Sequence, residues 1–216
     1  MLRNIIFDFD GALFDTKEGV IFCLNFTLEK IGKEELKTKV KKQLIGPPLW
    51  EIFKTLLPLE NDNFTENCVK IFRSEYEKKG TQLVSLISGM PELLRDLKKN
   101  GKQLFIVSNK PKSFITKILA SFELNIFDSI EAPEIKISRY NKINLLTSLM
   151  AKRKISIKET LMIGDRSDDI IAAKKNKIIA IGVTYGYGSK KELKEAGADK
   201  LFNSAKALGK YLLKND

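Results

Sequence analysis

Two aspartates one residue apart close the first apolar run of the chain. Asn4-Ile5-Ile6-Phe7 is short and rich in β-formers, and Asp8-Phe9-Asp10-Gly11 follows it directly. The run reads as a buried strand. Alternate residues of a strand share a face, so Asp8 and Asp10 start out pointing the same way. Two like charges so placed repel unless a cation or a proton lies between them. Taken alone, the pair fits either a solvated strand exit with two surface acids or a site.

The same design recurs. Leu161-Met162-Ile163 leads into Gly164-Asp165, then Arg166-Ser167-Asp168-Asp169 and the helical Ile170-Ile171-Ala172-Ala173. A third buried run, Leu104-Phe105-Ile106-Val107, ends in Ser108-Asn109. Lys110-Pro111 and a helix pattern through Phe114, Ile115, Ile118 and Leu119 come next. Three strand ends thus carry anionic or hydrogen-bonding groups just before a helix. In a parallel sheet such ends lie together, where open α/β sheets bind ligands.

In this order the motifs resemble those of the haloacid dehalogenase superfamily, and more narrowly its phosphoglycolate phosphatase-like branch. The family pattern Asp-x-Asp-Gly-Thr-Leu stands here as Asp8-Phe9-Asp10-Gly11-Ala12-Leu13. Ser108 matches the Ser or Thr at the end of the next core strand. Lys142, in Ser138-Arg139-Tyr140-Asn141-Lys142-Ile143, matches the lysine near a helix start, and Gly164-Asp165-Arg166-Ser167-Asp168-Asp169 matches Gly-Asp-x-x-x-Asp. One residue departs: Ala12 stands where the family usually has Thr. A hydroxyl is lost beside the acids, worth roughly 0.5–1.5 kcal/mol if it were bonded.

The resemblance implies an α/β fold: a Rossmann-like parallel sheet flanked by helices, with an inserted all-helical cap. It also implies a Mg2+-dependent phosphatase acting on a small phosphorylated metabolite, either phosphoglycolate or a nucleoside monophosphate. In that reading Asp8 is the nucleophile and Asp10 the acid and later the base. Mg2+ is held by Asp8, the backbone carbonyl of Asp10, and Asp165. Ser108 and Lys142 hold phosphoryl oxygens, helped by backbone N–H groups of Asn109 and the Phe9–Gly11 turn. Asp169 supports the metal shell through water or through Lys142. A sugar phosphomutase shares this core. A non-catalytic phosphate-binding regulatory module is the alternative from another class, and Ala12 is its support.

Several residues near the motifs take plainer readings. Asp168 fits a helix N-cap at least as well as a site. Lys110 and Arg166 read as surface charge, and Trp50 and Phe53 as cap core. Gly182 through Gly188 reads as a loop at the same sheet edge, and Gly46-Pro47-Pro48 resembles a cap loop facing the site.

Composition narrows the chemistry. The chain of 216 residues contains no histidine, which excludes Ser-His-Asp and Cys-His catalysis and any His-ligated metal. Cys23 and Cys68 read as buried reduced thiols. The net charge is +11, consistent with anionic substrates. Only six of the 38 basic residues are Arg. They lack the interleaved aromatics of base readers, so no nucleic-acid partner is expected. No apolar run approaches the ~20 residues of a membrane span, and Asp8 and Asp10 interrupt any signal peptide. A cytoplasmic monomer or homodimer is expected.

The elements that must position these residues follow from periodicity. Residues 17–79 look helical throughout, with apolar helices near 20–31, 49–57 and 64–79 and another over Lys33–Leu44. From Gly89 onward helices and strands alternate, which implies a parallel sheet. The expected division is a core of residues 1–15 and 86–216 and a helical cap of residues 16–85.

Overall fold

The computed structural model describes residues 2–136 and 140–214. The first strand, β1 (Asn4–Phe7), lies at the centre of a six-stranded sheet. It pairs in parallel with β4 (Gln103–Val107) on one side and β6 (Thr160–Gly164) on the other. β5 (Ser129–Glu131) extends the sheet beyond β4, and β7 (Ile179–Val183) and β8 (Lys200–Phe202) extend it beyond β6, all parallel. A parallel sheet needs crossovers that cover both faces. The near-continuous apolar runs noted above reflect that double burial.

Alternation along each strand divides the core. Ile5, Phe7, Leu104, Ile106, Leu161 and Ile163 face a cluster built with α4 (Met90–Lys99), α5 (Lys112–Ser121) and α9 (Ala205–Lys214). Ile6, Phe105, Val107 and Met162 face the other side, against α6 (Lys142–Arg153), α7 (Ser167–Lys175) and α8 (Lys190–Glu195). The lysine placed near a helix start, Lys142, is the first residue of α6; Ser138 and Arg139, read with it in the same motif, lie outside the described residues.

Between β1 and α4 the chain makes a helical insertion of α1 (Lys17–Lys30), α2 (Leu49–Leu56) and α3 (Asp62–Lys78). It leaves and rejoins the sheet through a feature that sequence reading did not anticipate. β2 (Phe14–Asp15) and β3 (Ser85–Leu86) form a two-residue antiparallel pair at its base. The helix expected over Lys33–Leu44 is instead two short 3-10 segments, Glu34–Lys39 and Lys42–Leu44. Neither buries a residue. Leu36, Val40 and Leu44 reach the insertion's core only half-buried, so tertiary packing does little to hold an α-helix here. Phe53 is fully buried in the insertion's core and Trp50 packs half-buried against it. Both cysteines are buried and free. Among the described residues no helix is long and apolar enough to cross a membrane.

Ile6 sits at the sheet centre with no exposed surface. Ile6→Ala is expected to lower stability by about 2–5 kcal/mol, read as the shift of a urea unfolding midpoint. A loss well under ~1 kcal/mol would contradict the central placement of β1.

Candidate active site

The C-terminal ends of β1, β4 and β6 are neighbours by topology, and their loops carry the charged groups. The ladder runs one residue past β1, since the Asp8 N–H donates to the Ile163 carbonyl at 2.8 Å. Asp8 is thereby fixed beside β6 and is only 2% exposed. The chain then turns tightly, with the N–H groups of Leu13 and Phe14 both donating to the Phe9 carbonyl. Gly11 takes a φ of +80°, and a Cβ there would stand 2.3 Å from Asp165 Oδ2. Glycine lets this turn close onto the acid of the β6 loop.

Lys142 joins the acids. Its Nζ lies 3.0 Å from Asp8 Oδ1 and 2.6 Å from Asp169 Oδ1, all deeply buried. The Asn141 side chain caps α6 by accepting the Ile143 N–H, which sets Lys142 in the first turn. The second oxygen of Asp169 accepts the Arg166 N–H at 3.0 Å. Burial pulls the Lys142 ammonium down, but the Asp169 and Asp8 carboxylates outweigh it and hold the group firmly charged. Asp8 is pushed up to about 7 by burial and by Asp169, against the pull of Lys142. Burial, then Asp169 and Asp8, push Asp165 well above the usual carboxylate range.

Asp165 has one oxygen satisfied and one not. Oδ2 accepts the Tyr187 N–H at 2.6 Å, while the buried Oδ1 has no hydrogen-bond partner. Carboxylate oxygens of Asp8, Asp165 and Asp169 all lie within 4.8 Å of one another. Three buried acids with one lysine among them carry excess negative charge, and their donors are all hard oxygens. That set fits a hard divalent cation.

Asp10 faces elsewhere. Its Oδ1 accepts the Thr16 hydroxyl at 2.6 Å and lies 2.9 Å from Lys110 Nζ. Its carboxylate is not part of the three-acid cluster. Lys110 was expected on the surface and is instead buried, pairing with Asp10 and lying 4.4 Å over the Tyr76 ring. Burial pulls its ammonium down, and the Asp10 carboxylate reverses that to a net upward shift. Proximity to Ser108 was the available signal, but the abundance of lysine masked it.

Ser108 is buried, and its Oγ accepts the Lys110 N–H at 3.3 Å. Asn109 donates from Nδ2 to the Gly46 carbonyl at 3.0 Å, so the Gly46-Pro47-Pro48 segment does meet the site. The Tyr140 hydroxyl donates to the Asn109 carbonyl. Two further expectations are corrected. Asp168 lies inside the first turn of α7, whose N-cap is Arg166, because Asp169 already holds the Arg166 N–H. Arg166 is not a solvated charge: its Nε lies 2.9 Å from Glu192 Oε1 and its Nη1 donates to the carbonyls of Gln43 and Ile45.

Tyr187 was read only as part of the Gly182–Gly188 loop at the sheet edge, with no role of its own. Its hydroxyl accepts the Thr16 N–H at 2.6 Å and lies 3.0 Å from Asp15 Oδ1, while its own N–H holds Asp165. The glycines around it were the signal. A Cβ on Gly186 would meet Asp165 Oδ2 at 2.4 Å, and one on Gly188 would meet the Asp165 carbonyl oxygen at 1.9 Å. Ala12 is fully buried in the apolar cluster, and its carbonyl accepts the Tyr185 hydroxyl at 3.2 Å.

Buried acids gathered at the C-terminal edge of a parallel sheet, with a lysine seated among them, place the chain among α/β enzymes that handle anions. Residues 5–183 match the haloacid dehalogenase-like hydrolases, and the chain belongs to that family. It is 32% identical over 192 residues to a 5'-nucleotidase of Pseudomonas aeruginosa, spanning 88% of this chain and 86% of that protein. A phosphoglycolate phosphatase of Vibrio parahaemolyticus is 27% identical, over 96% of this chain and 94% of its own length. The crystal structure of a predicted phosphatase from Clostridium acetobutylicum superposes with a TM-score of 0.92 at 32% identity, covering 99% of both chains. The reaction class is that of a phosphoric monoester hydrolase.

The space around Asp165 leaves no room for a side chain on Gly186. Gly186→Ala is expected to displace the Asp165 carboxylate and to weaken divalent-metal binding about 10–100-fold. Calorimetric titration of the metal measures this, with circular dichroism unchanged; wild-type metal affinity would disprove the steric argument.

Proposed function

We propose that the enzyme is a Mg2+-dependent phosphatase that hydrolyses a small phosphomonoester through an aspartyl-phosphate on Asp8. The supporting observation is the setting of Asp8: a buried carboxylate at a strand end, 3.0 Å from a charged lysine and facing two further acids. Phosphoryl transfer relies on positioning and charge neutralisation more than on covalent help from the protein. A carboxylate oxygen of Asp8 attacks phosphorus, and the bond from phosphorus to the leaving oxygen breaks. Asp10 gives its proton to that oxygen, so the alcohol departs neutral. Water then attacks the phosphoaspartate while Asp10 takes a proton from it. The bond between Asp8 and phosphorus breaks, releasing inorganic phosphate and restoring Asp8.

Lys142 and Ser108 hold the phosphoryl oxygens, with the backbone N–H groups of Asn109 and of the turn after Asp8. Thr16 and Lys110 fix the direction of Asp10. Asp8, Asp165 and the Asp10 carbonyl would hold Mg2+, with Asp169 steadying the set through Lys142. Bound there, Mg2+ would lessen the repulsion between Asp8 and the incoming phosphate. Residues 1–15 and 86–216 form the catalytic core, and residues 16–85 form a cap that shields the reaction from water. The substrate is phosphoglycolate-like or a nucleoside monophosphate. The enzyme acts in the cytoplasm as a monomer or homodimer, without nucleic acid.

Phosphate release from phosphoglycolate, nucleoside monophosphates and sugar phosphates tests the proposal. Asp8→Asn is expected to lower release about a thousandfold or more. Chelation should abolish wild-type release, and added Mg2+ should restore it. If wild type releases phosphate from none of these esters, with Mg2+ present, the proposal fails. A sugar phosphomutase or a regulatory module then becomes the better reading, and Ala12→Thr tests whether the family hydroxyl restores turnover.

A further inference from the structure

Resting on the phosphatase reading, we infer that Arg166 is a positioning residue that seats the cap loop of residues 43–48 on the catalytic core. Arg166 directly follows Asp165, yet its guanidinium spans from core to cap. On the cap side Nη1 donates to the Gln43 carbonyl at 3.0 Å and to the Ile45 carbonyl. On the core side Nε lies 2.9 Å from Glu192 Oε1, which also accepts the Ser167 N–H at 2.9 Å. The side chain is only 16% exposed, so these charge-assisted bonds are partly shielded from water.

Two further contacts show that the loop is shaped to fit. Gly46 takes a φ of +124°, and a Cβ there would stand 2.7 Å from Arg166 Cγ. Its carbonyl accepts Asn109 Nδ2 at 3.0 Å. The loop is therefore held at two points, each beside a residue of the proposed chemistry: Arg166 next to Asp165, and Asn109 next to Ser108. Ile45, Gly46 and Pro47 in turn line the cavity that adjoins Asp10, Asn109 and Lys110. That cavity is where a leaving group protonated by Asp10 would lie. Backbone carbonyls are read regardless of the side chains that carry them. Arg166 thus senses whether the cap loop is seated, and one rigid connection ties that state to the position of the β6 loop.

If the seated loop is the substrate-binding state, loosening it lowers the competent fraction and raises the apparent dissociation constant in proportion. The chemical step is left largely intact, which appears as a change in KM with little change in kcat. Arg166→Gln is expected to raise KM about tenfold while kcat stays within about threefold. Lysine keeps the charge but cannot serve Glu192 and two carbonyls together, so Arg166→Lys should fall between the two.

Hydrogen–deuterium exchange of the amides of residues 43–46 provides a readout independent of turnover. It should quicken about tenfold in Arg166→Gln, with the melting temperature unchanged. Glu192→Gln, which leaves Arg166 in place but weakens its core anchor, should move exchange the same way by less, and it serves if Arg166→Gln fails to fold. Exchange within about twofold of wild type in the folded variants overturns the inference, whatever ester the enzyme hydrolyses. Faster exchange with unchanged KM overturns the link to substrate binding. Faster exchange in an enzyme that hydrolyses no ester upholds the seating by Arg166 and rejects the phosphatase reading alone.

Discussion

The ion pairing of Lys142 with Asp8 and Asp169 is the constraint on which the site depends. Burying carboxylates in a group is costly unless cations and hydrogen bonds offset the desolvation. The protein gathers them nonetheless and provides one fixed lysine, so the cluster keeps a surplus of negative charge. Such a set of hard oxygen donors fits a divalent cation. Removing the lysine alone would leave acids facing one another at the sheet edge. The lysine therefore serves stability and chemistry at the same time.

The rest of the architecture places these charges. Parallel pairing of β1 with β4 and β6 brings three loops to one edge, and their glycines remove the side chains that would keep the loops apart. Gly11 and Gly186 both close onto Asp165 from opposite parts of the chain. Tyr187 then uses its backbone on Asp165 and its hydroxyl on Thr16, so the acid cluster and the base of the helical insertion share one residue. The bonds to Asp10 from Thr16 and Lys110 complete a continuous polar path from that base to Asp10.

Much of this was legible because burial on both faces leaves a strong mark. β1 was read to the residue, β4 and β6 to within one residue at either end, and the alternation of helices and strands after Gly89 emerged from apolar runs alone. Asp8 and Asp165 could be read because acids directly after apolar strands are conspicuous, and Asp169 through the resemblance of Gly164–Asp169 to the family motif. Lys110, Arg166 and Tyr187 were missed for the opposite reason. In a chain with 38 basic residues, one more lysine or arginine carries little information. A tyrosine whose partners lie 171 positions away leaves no periodic trace. Over 33–44 the spacing of Leu36, Val40 and Leu44 suggested a helix, but none of them is fully buried, and the two-residue strands β2 and β3 are too short to have a period.

The position of β1 in the sheet has a consequence for how the chain reaches this state. Asn4 pairs with Gln103 on one side and with Thr160 on the other. Of the strands of this sheet, the earliest in chain order is therefore a central one, and both of its partners come much later. During synthesis Ile5, Ile6 and Phe7 have no sheet to join until those partners emerge, whereas α1, α2 and α3 meet close in sequence. Pairings so distant form slowly and leave apolar segments open to association in the meantime. The strand that leads into Asp8 is thus the strand of this sheet that waits longest for its partners, and a cell that makes this protein must keep it from aggregating over that interval.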